Sequence, residues 1–320
     1  MLIATERGEF TMKQANSASP MIFLNAHAFP RVLLLGNGIL KLCGGISWEQ
    51  LLEGIQNRKV PAAEIKKVPY CMQPELLSSA EAEVIRRQVG EKMSASAPCI
   101  SPQLEKLLAL DFDCILTTNY TYEVETILTG GRWNERMRRE CLRVVHGSSH
   151  VHHNLSICYQ IPRTDRPPVQ VWHIHGDAMR HTSLILSYYS YAAAMFKLQE
   201  YNKQLGNTLL EYQQSGKPLP VHSWLDWFLV GDVYTVGYGF DFSEIDLWWA
   251  LERKKREKAN VGRLYHLTLE EKMPADNKSM LETLGAHYEG IVLENGRWEN
   301  GYEAVIDRLK KIGHFTEKQP

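Results

Sequence analysis

From Arg31 onward the chain reads as short apolar runs of four to seven residues, each followed by a turn or helix signal. The runs fall at 32–35, 114–117, 171–174, 183–186, 233–236, 264–269 and 287–293. Continuous apolar runs without alternation suit strands buried on both faces, and so predict a parallel sheet with helices above and below. The segments between them fit that layout. Ser47, with Gln50 three residues on, forms a capping box that predicts a helix over 48–56. Apolar positions at 242, 245, 248, 249 and 251 predict a helix within 240–258, and 280–284 and 302–312 read as helices flanking the last run. Strands alternating with helices predict an α/β core, doubly wound and mainly parallel.

Two stretches interrupt the alternation. Residues 130–169 carry charge, His and Pro and read as an excursion, and residues 189–222 read as a helical insertion. Residues 1–29 show little periodicity and read as an N-terminal arm, leaving 30–320 as the folded domain. The first twenty residues are polar and lack the apolar stretch of a secretory signal, and no apolar run reaches the roughly 18 residues that span a bilayer. A cytoplasmic protein without membrane contact is therefore expected.

Composition adds exclusions. Thirty-six Lys and Arg against thirty-seven Asp and Glu give a net charge of -1, which argues against binding nucleic acid by bulk charge. The basic run Arg253-Lys254-Lys255-Arg256 reads as the solvated end of a helix, with phosphate contact as the alternative. The six cysteines are scattered without a C-x-x-C pair, so free thiols are expected and a zinc ribbon is not. His146, His150, His152 and His153 match no common ligand spacing, and no metal is expected.

Four motifs carry candidate chemistry, each following an apolar run. Gly36-Asn37-Gly38 is a strand-to-helix glycine turn of the kind that approaches a pyrophosphate at a helix N-terminus. Thr117-Thr118-Asn119-Tyr120 places an amide side chain at a strand end, suited to orienting water or a ribose, or alternatively to capping a helix over 121–128. His173-Ile174-His175-Gly176-Asp177 sets two imidazoles two residues apart, on one side of a strand, with His175 as a candidate base. Gly237-Tyr238-Gly239-Phe240 opens a fourth turn, after which Glu244 and Asp246 read as carboxylates complementing a helix dipole. The carboxyl ends of the strands are where open α/β sheets bind ligands.

This order of motifs, together with Leu184-Ile185-Leu186-Ser187-Tyr188-Tyr189, resembles the sirtuin-like NAD-consuming domains of bacterial antiviral defence, typified by the Thoeris NAD hydrolase effector. The resemblance covers roughly 31–312. It implies a Rossmann-like, sirtuin-like fold and cleavage of NAD to ADP-ribose and nicotinamide, with Asn119 and His175 as the catalytic pair. Gly36, Asn37, Gly38, Thr117, Thr118, Gly176, Asp177, Gly237, Tyr238, Gly239 and Phe240 would then contact NAD, which is a substrate here. Two positions depart from the family: Thr121 stands where Asp is common, and Ile39 where Ser or Thr follows the second glycine. The chemistry needs neither a metal nor a covalent enzyme nucleophile. An activity this toxic implies restraint by homo-oligomerisation or by a sensor or activator protein. Two alternatives remain open at this point. One is a sensor that binds NAD or ADP-ribose without turnover; the other is an NAD-dependent deacylase or ADP-ribosyltransferase, although the missing C-x-x-C pairs count against deacylation.

Overall fold

The computed structural model describes residues 2–4, 10–12, 21–22, 29–53, 55, 57, 60–145, 153–164, 166–269, 275–293 and 296–315. Most of the apolar runs become strands of one sheet. Among the described residues it holds eight: β1 (Arg31–Leu35), β2 (Cys114–Thr117), β3 (Leu142–Val144), β4 (Ile157–Ile161), β5 (Val169–His173), β6 (Asp232–Val236), β7 (Leu264–Leu269) and β8 (His287–Ile291). Their order across the sheet is β8-β7-β6-β1-β2-β5-β4-β3. Neighbours pair in parallel from β8 through to β5, and β4 runs antiparallel to β5 and β3. From β1 the chain adds β2 and β5 on one side, then crosses to build β6, β7 and β8 on the other. The connection thus reverses between β1 and β6.

The unbroken apolar runs have the expected cause. Val32, Leu33, Leu34 and Leu35 are all fully buried. Val32 and Leu34 pack with helices Trp224–Val230 and Ile245–Lys255, whereas Leu33 and Leu35 pack with Pro102–Leu108 and Trp298–Ile312. Each fully buried leucine contributes roughly 1.5–3 kcal/mol of transfer free energy. A smaller third cluster unites Leu51 and Leu52 of Trp48–Glu53, Ile85 and Val89 of Ala82–Ala95, and Leu184 and Leu186. The capping box at Ser47 forms as expected: Gln50 N–H donates to Ser47 Oγ at 3.2 Å, and Ser47 N–H to Gln50 Oε1 at 2.8 Å.

Several expectations change. Residues 183–186 are not a strand; the short 3-10 helix Ala178–Ser183 ends there, and Leu184 and Leu186 are buried in the third cluster. An apolar run signals burial, and burial under helices leaves the same pattern as burial in a sheet. The excursion at 130–169 holds β3 and β4, which extend the sheet. The insertion at 189–222 is helical, as Tyr188–Leu205 and Thr208–Ser215. Within 1–29, Met21–Ile22 pair with Leu219–Pro220, and Ile22 is buried in the core; most of the arm lies outside the described residues, as do His146, His150, His152 and the side chain of His153. Lys254 is not solvated: its ammonium donates to the carbonyls of Phe228, Leu229 and Gly231 at 2.9, 2.8 and 2.7 Å. Cys43 and Cys99 form a disulfide, so the expectation of free thiols holds only for the buried Cys71, Cys114, Cys141 and Cys158. A separation of 56 residues hides that pairing from sequence spacing. Among the described residues no helix is long and apolar enough to cross a membrane.

Candidate active site

All four motifs leave the carboxyl ends of strands that lie side by side, β6, β1, β2 and β5. A cavity of about 190 Å³ opens there. Each motif supplies lining: Asn37 after β1; Thr118, Asn119, Tyr120 and Thr121 after β2; His175 after β5; Ser243 and Glu244 after β6. Ile46, Ser47, Trp48 and Leu51, Tyr70 and Cys71, Met93, Ile185 and Leu186, and Tyr191 complete the wall. Asn119 and His175, far apart in sequence, therefore share one chamber.

Asn119 is fixed mainly through its backbone. Its N–H donates to Thr117 Oγ1 at 3.1 Å, while its carbonyl lies 2.8 Å from His173 Nδ1. Its side-chain Nδ2 reaches the Gly36 carbonyl at 3.5 Å, and Oδ1 has no bond among the described residues. Helix Glu123–Leu128 begins after Tyr122 without a side-chain cap, so Asn119 is not its cap. His173 is a buried strut. Its second nitrogen meets Glu125 Oε1 at 2.8 Å, so both ring nitrogens face acceptors, an arrangement only a doubly protonated ring satisfies in full. Burial pulls its pKa down, but Glu125 reverses this, and the net shift is upward.

His175 lies in a turn beyond β5, where strand periodicity no longer applies, and it does not share partners with His173. Its Nε2 donates to Asp246 Oδ2 at 3.0 Å, and both residues are buried. The carbonyl of His175 accepts from Ile185 N–H at 2.9 Å, and the Tyr191 ring stands edge-on at 5.5 Å. In the neutral ring, an Nε2 that donates to the carboxylate leaves the lone pair on Nδ1, which has no bond among the described residues. Burial disfavours the charged ring, yet the adjacent Asp246 carboxylate prevails and raises the pKa above its ordinary value. Glu244 sits in the same lining. Burial pushes its carboxyl up to about 7, with His175 and Tyr238 offsetting part of the rise.

The first-turn carboxylates are thus site residues. Glu244 occupies the N-cap of Ile245–Lys255 but makes no cap bond with its side chain, and Asp246 reaches inward to His175. Sequence reading missed both because dipole complementarity explains a carboxylate in a first turn equally well. It also missed the aromatic wall of Trp48, Tyr70, Tyr120 and Tyr191. The signal available was the pair of acids following a strand-end glycine turn.

The other expected contacts divide. Asn37 and Thr118 line the cavity. Gly36, Gly38, Thr117, Gly176, Asp177, Gly237, Tyr238, Gly239 and Phe240 are not in its lining. Gly36 N–H donates to the Val236 carbonyl at 2.9 Å and Gly38 N–H to the Gly237 carbonyl at 2.7 Å, so these amides stitch the β1 and β6 turns together. A Cβ at Gly36 would collide with Gly237 and Tyr238, so close backbone approach requires glycine there. The turn runs into the 3-10 segment Ile39–Cys43, not an α-helix, which corrects the expected helix N-terminus. Thr117 Oγ1 donates to the Leu35 carbonyl at 3.1 Å. Gly176 has φ +88°, and a Cβ there would strike the Ser183 carbonyl. Asp177 is fully buried, pairs with Arg180, accepts from Tyr122 and caps the 3-10 helix that follows. Tyr238 and Phe240 are core residues, and Gly239 is exposed.

No family model matches this chain, and no curated protein does either.

Proposed function

We propose that the chain is an NAD hydrolase that releases nicotinamide and ADP-ribose, with Asn119 and His175 as its catalytic pair. The observation that carries this reading is their placement in one cavity at the carboxyl ends of adjacent parallel strands. The strand order supports it: taken in chain order, the six parallel strands lie 3-2-1-4-5-6, the arrangement of dinucleotide-binding sheets, and the cavity borders the reversal point between β1 and β6. A sirtuin-like variant of that architecture fits the motif order.

A cavity of about 190 Å³ is smaller than the roughly 300–1,000 Å³ that encloses a drug-sized ligand. It suits one end of a dinucleotide, a ring with its sugar, and the remainder extends outward past Asn37 and Thr118. Hydrolysis breaks the bond between the anomeric carbon and the nicotinamide nitrogen. The ring leaves with the bonding electrons and becomes neutral, so its departure needs no acid. The transition state has oxocarbenium character. Asn119 orients the attacking water or grips a ribose hydroxyl, and His175 Nδ1 takes the proton that water loses. Asp246 positions the imidazole and compensates its charge. Glu244, in the same lining, supplies the carboxylate that Thr121 lacks and stabilises the developing cation.

The test is free nicotinamide released from NAD by the purified chain. His175→Ala and Asn119→Ala should each reduce release by about 10²-fold or more. Full turnover by either folded variant refutes the mechanism. Binding of NAD with no product on long incubation would favour the sensor reading, and label transferred to protein would favour deacylation or ADP-ribosylation. Depletion of NAD in the cytoplasm suits antiphage defence, with oligomerisation or a sensor protein as the restraint. Helix Tyr188–Leu205, which brings Tyr191 to the cavity and packs on Ile245–Lys255, is the element through which such restraint would act.

A further inference from the structure

The loop that carries Asn119 is held from behind by a buried pair that stays out of the cavity. His173 and Glu125 are absent from its lining, and their side chains are 1% and 0% exposed. His173 ends β5 directly beside Thr117 of β2, within reach of the chain that leaves β2. Its Nδ1 meets the Asn119 carbonyl and its Nε2 meets Glu125 Oε1, both at 2.8 Å. Glu125 Oε2 has no partner among the described residues, so this carboxylate depends on the imidazole. The rings of Tyr122 and Tyr159 stand across the imidazole, with centroids at 5.3 and 5.9 Å. Asp177, whose charge also favours the protonated ring, is bound to Arg180 at 2.7 Å and accepts from both tyrosine hydroxyls.

One proton governs this arrangement. Protonated on both nitrogens, the ring donates to both acceptors. When one proton leaves, a single N–H must choose between a peptide carbonyl and a buried carboxylate. The carboxylate wins, because a charged acceptor bonds about twice as strongly and a buried charge left unpaired is the costlier loss. Nδ1 then turns a lone pair on the Asn119 carbonyl, and the two repel.

We propose that His173, charge-balanced by Glu125, is a positioning residue: its Nδ1–H latches the Asn119 carbonyl and so aims the Asn119 amide, and loss of its second proton opens the latch. The latch itself is independent of NAD, and its effect on turnover rests on the NAD cleavage proposed above.

The latch is read in the free chain without NAD. Asn119-Tyr120 is the single Asn-Tyr step in the sequence, so carbonyl-labelled Asn with nitrogen-labelled Tyr gives one NMR peak for that peptide. His173, identified by loss of its resonances in His173→Asn, should keep protons on both ring nitrogens as pH rises past 6.5, the ordinary histidine value. When one is lost at higher pH, the Asn119-Tyr120 peak should move with it. In Glu125→Gln the new amide can donate to a neutral Nε2, which leaves Nδ1–H for Asn119, and the peak should stay fixed over that range. Nicotinamide release should fall at alkaline pH in the native chain, and that limb should vanish in Glu125→Gln. His173→Gln extends its amide toward Glu125 and abandons the carbonyl; it should lower kcat about tenfold or more with little change in KM. His173→Asn sets its amide near the place of Nδ1 and should turn over about fivefold or more faster than His173→Gln, the difference made by one hydrogen bond. A ring singly protonated below pH 6.5, or an Asn119-Tyr120 peak indifferent to the His173 titration, overturns the latch. Equal kcat in the two His173 variants, or an alkaline limb kept in Glu125→Gln, overturns its part in turnover. A chain that releases no nicotinamide refutes the NAD reading, while the spectra still decide the latch.

Discussion

The pairing of His175 with Asp246 decides what the imidazole can do. A base must be unprotonated to accept, so release of nicotinamide should fall as pH drops through the raised value of His175, above 6.5. Glu244, pushed up to about 7 by burial, loses its charge over a similar range and steepens the fall. In Asp246→Asn, burial pulls the His175 pKa down unopposed by that carboxylate. The acid limb of the pH–rate profile should then move to lower pH, while kcat falls because the ring is less well positioned. A limb that stays in place while kcat falls would mean that another group sets it. Glu244→Gln keeps the shape and removes the charge; it should lower kcat about tenfold or more with little change in KM, as expected for an interaction made mainly in the transition state.

Elements carry the site by the way they end. Two turns, at Gly36 and Gly176, hold their strand ends against neighbouring backbone without lining the cavity. Gly176→Ala meets both a positive φ and the Ser183 carbonyl, and should lower stability by about 1–3 kcal/mol, read as a reduced Tm. Lys254→Met leaves three helix-end carbonyls without their common donor and should cost a comparable amount by chemical unfolding. The parallel strands were legible because burial on both faces leaves unbroken apolar runs such as Val32 to Leu35. The two antiparallel strands, β3 and β4, were not. Leu142–Val144 is too short to show a period, and Ile157–Ile161 follows a polar, histidine-rich stretch that reads as a loop. Asn119 and His175 were legible because small polar groups at strand ends are conspicuous against apolar runs. Lys254, Glu244 and Asp246 were not, because a charge in a helical turn looks the same in sequence whether it faces water or the interior, and only the packing of Ile245–Lys255 tells them apart.

At the scale of the molecule, the cavity depends on two layers meeting. The sheet supplies Asn119 and His175, and the cluster of Leu51, Leu52, Ile85 and Val89 lays a roof that carries Trp48 and Met93 to the same cavity. The roof is inserted in sequence between β1 and β2, so the chain must leave the sheet after Gly38 and return before Pro102. The Cys43–Cys99 disulfide joins those points of departure and return, with a separation of 56 residues enclosing the roof segments. Closing a loop of that length restricts the unfolded chain by about 4 kcal/mol at 25 °C in the chain-entropy account. The paired substitution Cys43→Ser and Cys99→Ser should therefore lower the unfolding free energy by about 2–4 kcal/mol. The loss should be localised: amide hydrogen exchange should quicken across Trp48–Glu53 and Ala82–Ala95 before it does in β1 and β2. Because the roof supplies walls and not the catalytic pair, KM for NAD should rise more than kcat falls. Uniform exchange across roof and sheet would show that the two layers open as one unit and that the clamp stabilises the whole fold instead of the roof.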